Sequence, residues 1–77
     1  MERMSFDYSK LNGRIREKYG TQKKFAEAIG MNPATISMKL TNKRYFDQPD
    51  IVRSVDALEI APGEVTTYFF TPKLNIY

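Results

Sequence analysis

The stretch Gln22-Lys-Lys-Phe-Ala-Glu-Ala-Ile-Gly-Met-Asn-Pro-Ala-Thr-Ile-Ser-Met-Lys-Leu-Thr41 constrains the fold more than any other feature of the chain. It reads as two short helical segments either side of a tight Gly30-Met31-Asn32 turn. Ala26 falls where two such helices would cross, and a larger side chain there would push them apart. Gly30 supplies the positive φ that so sharp a turn demands. Ile36 is placed to plug the inner face of the second helix. A small residue, a glycine four later and a β-branched apolar residue six after that make up the spacing of a helix-turn-helix.

The flanking sequence carries helical periodicity with matching punctuation. A first helix is predicted from Tyr8 to Tyr19, with Asp7 as N-cap and Gly20 as the C′ residue. Tyr8, Leu11, Ile15 and Tyr19 form its apolar stripe. Gly13 lowers its helix propensity and suggests a close packing contact. The second helix spans Gln22 to Ile29, with Thr21 as cap and Gly30 closing it. Asn32 caps the third, which has Pro33 at N1 and runs to Thr41. Asp47 caps a fourth, with Ile51, Val52, Val55 and Leu58 as its buried stripe. A short fifth runs from Pro62 to Phe69, and residues 71–77 read as a tail or an edge strand. Tyr68, Phe69 and Phe70 are three consecutive aromatics, too many for one short helix to bury, so the surplus points to a subunit interface. The fold class is therefore all-α, a bundle of four to five helices in a single domain over residues 1–77.

Several function classes are excluded or made remote. The chain of 77 residues has no Cys and no His, which removes disulfides and most zinc, haem and copper sites. No metal or cofactor is expected. No paired carboxylates suggest a general acid and base, so the chain is not expected to be an enzyme. It has no apolar run long enough to cross a bilayer and no signal-peptide h-region, so a cytoplasmic location is expected. A chain this short has a small core, and oligomerisation is one way to compensate.

The net charge of +3 hides an uneven distribution. Residues 1–46 carry ten Lys/Arg against four carboxylates, whereas residues 47–77 carry two against five. Such a bipolar domain can lay its basic half on a polyanion.

The chain resembles the lambda-repressor and Cro family of helix-turn-helix proteins, and in particular its short phage and prophage members. The resemblance rests on residues 6–11 (Phe-Asp-Tyr-Ser-Lys-Leu), Gly20-Thr21-Gln22-Lys23, Phe25-Ala26, Ile29-Gly30, Thr35-Ile36-Ser37, Lys39-Leu40 and Tyr68-Phe69-Phe70. It implies a transcriptional regulator that binds double-stranded operator DNA as a homodimer. In this motif the second helix of the pair enters the major groove. With Ile36 and Leu40 inward, Ala34, Met38 and Thr41 point out, flanked by Thr35 and Ser37. These five are the candidate base readers: hydroxyls for hydrogen bonds, Ala34 and Met38 for thymine methyls. The alternative for Met38 is core filling.

Candidate phosphate contacts are Gln22 and Lys23 at the start of the second helix, Lys39 to one side of the third, and Asn42, Lys43 and Arg44 after it. The alternative for Gln22 and Lys23 is a solvated helix start, and for Lys43 and Arg44 an ordinary polar loop. The outward face lacks the Arg, Gln and Asn side chains that read bases bidentately, which leaves specificity to methyl contacts, water and DNA shape. A competing reading keeps the fold and drops the DNA. In it the chain is a protein-interaction module of the anti-repressor type, using the acidic half with Glu59, Glu64 and the aromatic tail.

Overall fold

Short polar side chains start three of the helices in the computed structural model, which describes residues 4–73. Thr21 Oγ1 accepts the Lys24 N–H (3.1 Å) at the start of α2, Gln22–Ala28. Asn32 Oδ1 accepts the Ala34 N–H (2.8 Å) at the start of α3, Pro33–Leu40, with Pro33 in the first turn. Asp47 and Asp50 form a reciprocal capping box at the start of α4, Gln48–Leu58. The first helix, α1, runs Ser9–Tyr19, one residue shorter than predicted. Asp7 still serves its start, because its carboxylate accepts both the N–H and the hydroxyl of Ser9. A 3₁₀ turn, Pro62–Glu64, leads into α5, Val65–Phe69.

Two glycines end helices as the spacing predicts. Gly20 adopts φ 82° after α1 and Gly30 φ 70° after α2, a region costly for other L-residues. α4 ends by a different route, for which no glycine is available. Glu59 itself takes φ 52°, and the Ile60 and Glu59 N–H groups bond back to the Val55 and Asp56 carbonyls (3.0 and 3.3 Å) as in a Schellman motif. Side chains from α1 occupy further carbonyls at this end. Arg14 Nε donates to Leu58 O (2.9 Å) and the Tyr19 hydroxyl to Ala57 O (3.1 Å), while Lys18 pairs with Glu59 (2.8 Å). Two cations of the basic half, Arg14 and Lys18, are thereby engaged by α4 and its C-cap.

The core is the one the apolar stripes describe. Leu11 and Ile15 of α1, Phe25 and Ala26 of α2, Ile36 of α3, Leu58 of α4 and Phe69 of α5 are all buried. Aromatic edges tie the N-terminal segment to the far end of the chain. Phe46 meets Tyr8 and Phe69 edge-on, with both pairs of centroids 5.4 Å apart, and Phe6 meets Phe70 at 5.8 Å. The predicted edge strand is realised only as one antiparallel bridge, Phe6 to Pro72, flanked by Asp7 N–H to Thr71 O and Lys73 N–H to Ser5 O. The expectation for residues 74–77 falls outside the described residues.

Two packing expectations are corrected, the α4 stripe and the close contact at Gly13. Val52, read as part of the α4 stripe, is 61% exposed, because α4 turns Leu58 and Ser54 inward and leaves Val52 without a covering element among the described residues. Ile51 and Val55 are only partly buried. Gly13 makes no close approach, since a Cβ built there would meet nothing within 4 Å. Of the three consecutive aromatics, Tyr68 and Phe69 are buried and Phe70 is 45% exposed, so the surplus is Phe70 alone.

Candidate functional site

α2 and α3 form the helix-turn-helix, and their capping fixes which side chains reach solvent. Gln22 and Lys23 lie exposed on the first turn of α2, as does Lys24 beside them. Gln22 Nε2 is hydrogen-bonded to Asn12 Oδ1 of α1 (3.2 Å), so its amide is partly engaged. On α3, Ala34, Ser37 and Thr41 are exposed, while Thr35 and Met38 are half-buried. The five candidate base readers do share one face. That face is short of free polar groups, because the Thr41 hydroxyl donates back to the carbonyl of Ser37 (2.8 Å). Such back-bonding is a common use of Thr near a helix end.

Lys39 is a correction. The sequence places it to one side of α3 as a phosphate contact, but it is buried, and its ammonium pairs with the Asp50 carboxylate on the first turn of α4. The other Asp50 oxygen accepts from Arg53 Nη2 (3.0 Å) and the Asp47 N–H adds a further bond (3.0 Å). Burial pushes the Asp50 carboxyl up. The Lys39 ammonium and the Asp47 N–H outweigh that and hold it below the ordinary carboxylate range. The ion pair thus clamps α3 to α4 and removes a cation from the outer face.

Asn42 is a second correction. Its side chain takes both backbone groups of Phe6, with Oδ1 accepting the N–H (2.7 Å) and Nδ2 donating to the carbonyl (2.9 Å). Asn42 has φ 66°, a left-handed conformation that Asn tolerates better than most residues. It anchors the N-terminal segment, which commits its amide oxygen and an amide N–H to the backbone of Phe6. Lys43 and Arg44, which follow it, are exposed, and their N–H groups bond the Met38 carbonyl (2.9 and 3.3 Å) at the end of α3. Among the described residues, Lys23, Lys24, Lys43, Arg44 and Arg16 have no carboxylate partner. Lys24 and Arg16 were missed in the sequence; the adjacent Lys23-Lys24 pair was the available signal for the first.

The outer face of the motif is therefore a small, nearly neutral strip of Ala, Ser, Thr and Met edged by exposed cations. It offers methyls and hydroxyls, and no buried acid, base or nucleophile. No helix among the described residues is long and apolar enough to cross a membrane.

The family described as "Protein of unknown function (DUF739)" matches residues 4–72, and the chain belongs to it. Among solved structures, the chain is similar to the modulator of repression of the temperate bacteriophage TP901-1 from Lactococcus lactis. The two are 42% identical, the match covers 92% of this chain and 96% of that one, and the TM-score is 0.78. No curated protein matches the chain. The chain is thus a homologue of a phage regulatory protein and shares its all-helical fold. The similarity falls on a modulator of repression, which is a coarser placement than the Cro and repressor branch that the sequence resembles.

Proposed function

We propose that this chain regulates repression by contacting another protein of a phage switch, in the manner of an anti-repressor, without reading an operator itself. The observation that carries this reading is the composition of the α3 face. Lys39 is withdrawn into an ion pair, Asn42 is hydrogen-bonded to Phe6, and the exposed residues of α3 and its C-cap are Pro33, Ala34, Ser37 and Thr41. A face without a free Arg, Lys, Asn or Gln has none of the side chains that discriminate bases by bidentate hydrogen bonds. The relative described as a modulator of repression points the same way. The partner is then a repressor protein, and the place of action the cytoplasm where that repressor meets its DNA.

A second reading, direct binding of double-stranded operator DNA as a homodimer, is favoured by the exposed cations Lys23, Lys24, Lys43 and Arg44, which have no carboxylate partner among the described residues. They suit phosphates, and phosphate contacts supply affinity without sequence information.

Titration of repressor on labelled operator DNA, with and without this chain, separates the two. The protein-contact reading expects the chain to change the repressor's occupancy of its operator, while alone it binds operator and random duplex equally and only at low salt. Tight, sequence-selective binding of the chain alone would establish the second reading in its place.

A further inference from the structure

An apolar trough runs along the side of the molecule formed by α4 and α5. Phe46, Ile51, Val52, Val55, Val65 and Phe70 line a groove of about 780 Å³. A smaller cavity of about 310 Å³ shares Phe46, Ile51 and Phe70 with it, so the two adjoin. Val52 and Phe70, both lining this groove, are 61% and 45% exposed, a large exposure for apolar side chains of a small domain. The capped, periodic α4 holds Val52 there, so its exposure is built into the fold.

The charge around the trough identifies what fits it. The carboxylates on this side divide into satisfied and unsatisfied ones. Asp50 is neutralised by Lys39 and Arg53, and Glu59 by Lys18. Asp56, which lines the groove, and Glu64, between the lining residues Pro62 and Val65, have no cationic partner among the described residues. Arg53, the one cation of α4, is turned to Asp50. The rim is therefore acidic and its floor apolar. A second copy of the chain would be a poor occupant, because a two-fold contact uses the same patch on both copies and so brings two acidic rims together. Like charges brought together at an interface are unfavourable.

We propose that the α4–α5 trough is the docking site for an amphipathic helix of the partner protein, with apolar residues at i, i+3 and i+7 flanked by Lys or Arg. This is the helix-in-groove mode, with the apolar stripe supplying affinity and the basic flanks orientation. The inference rests on the protein-contact reading above and names the surface and the chemistry that reading leaves open.

The probe is a 14-residue helical peptide of Leu and Lys in that pattern, with a Leu–Glu peptide of the same pattern as control. Binding is followed by fluorescence anisotropy and by amide chemical shifts of the full chain. The expected result is saturable binding of the Lys peptide with shifts confined to α4 and α5, at least tenfold tighter than the Glu peptide. Val52→Asp, on an exposed position, weakens it at least tenfold. The double change Asp56→Lys and Glu64→Lys, also exposed, reverses the peptide preference. Equal binding of both peptides, shifts centred elsewhere, or self-association of the wild-type chain that Val52→Asp abolishes would each overturn the proposal. The same variants are then mixed with intact repressor. Repressor binding undiminished by Val52→Asp sinks the trough but leaves the protein-contact reading standing. Absence of any repressor binding sinks that reading, while the peptide titration still judges the trough.

Discussion

Asn42 holds Phe6 by both of its backbone polar groups, at 2.7 and 2.9 Å, across 36 residues of sequence. One amide side chain stands in for a strand partner and brings the N-terminal segment against the end of α3. It does so from a left-handed backbone conformation, φ 66°.

Replacing that amide therefore has two costs. Asn42→Ala leaves the Phe6 N–H and carbonyl unpaired and keeps a strained φ, and about 1–3 kcal/mol of destabilisation is expected. Asn42→Gly relieves the φ and loses only the bonds, so it falls between wild type and Ala. Urea unfolding of the three proteins checks the order, and an Ala variant as stable as wild type would contradict it.

The Lys39–Asp50 pair makes a second, larger prediction. Asp50→Ala strands a buried ammonium, a change that costs about 3–5 kcal/mol in comparable sites. Small domains have a total stability of about that size. The variant is expected to be largely unfolded at 25 °C by circular dichroism. Full helicity would show that Lys39 escapes to solvent when its partner is gone.

The same pair sets a pH dependence. The native Asp50 carboxyl lies below its ordinary value, so its contribution is fully present above the unfolded pKa of about 3.9 and is lost as pH falls through the native value. Asp7 and Glu59, held low by Ser9 and Lys18, act in the same direction. Urea midpoints are expected to be flat from neutral pH to about 5 and to drop below about 4. A midpoint that rises on acidification would refute the assignment.

Ser54 offers a stabilising change. It is fully buried, and its hydroxyl is the one buried side-chain polar atom without a hydrogen-bond partner among the described residues. Ser54→Ala removes an unsatisfied group and improves helix propensity, so a gain of about 1 kcal/mol is expected. In a domain of this size that corresponds to a Tm higher by about 4–8 °C. A lower Tm would mean that the hydroxyl has a partner, such as a buried water.

The flanking cations can be tested apart from the trough. Removing Lys23, Lys43 and Arg44 together should flatten the salt dependence of any duplex-DNA binding by about one unit per lost phosphate contact. Under the protein-contact reading, the effect on a repressor's operator occupancy persists in that variant. Its disappearance together with DNA binding would favour the operator reading.

Much of this fold is legible in the chain because its signals are local. A Thr, Asn or Asp at a helix start and a glycine at its end act within four residues, so Thr21, Asn32, Asp47, Gly20 and Gly30 mark their elements without knowledge of the rest. The 3.6-residue period likewise identifies Leu11, Ile15, Phe25, Ile36 and Leu58 as inward, and they are buried. Periodicity states which residues share a face. It does not state which faces meet, and that is where only the tertiary structure decided. Lys39 lies next to the apolar stripe of α3, and its long stem can go either way; the Asp50 carboxylate on another helix draws it in. Val52 carries the same apolar signal as Leu58, yet no element among the described residues covers it. Asn42 reads as a polar loop residue until Phe6, 36 positions away, is brought within reach. Each outcome depends on contacts between segments far apart in sequence, whose geometry is set by the packing of whole helices against one another.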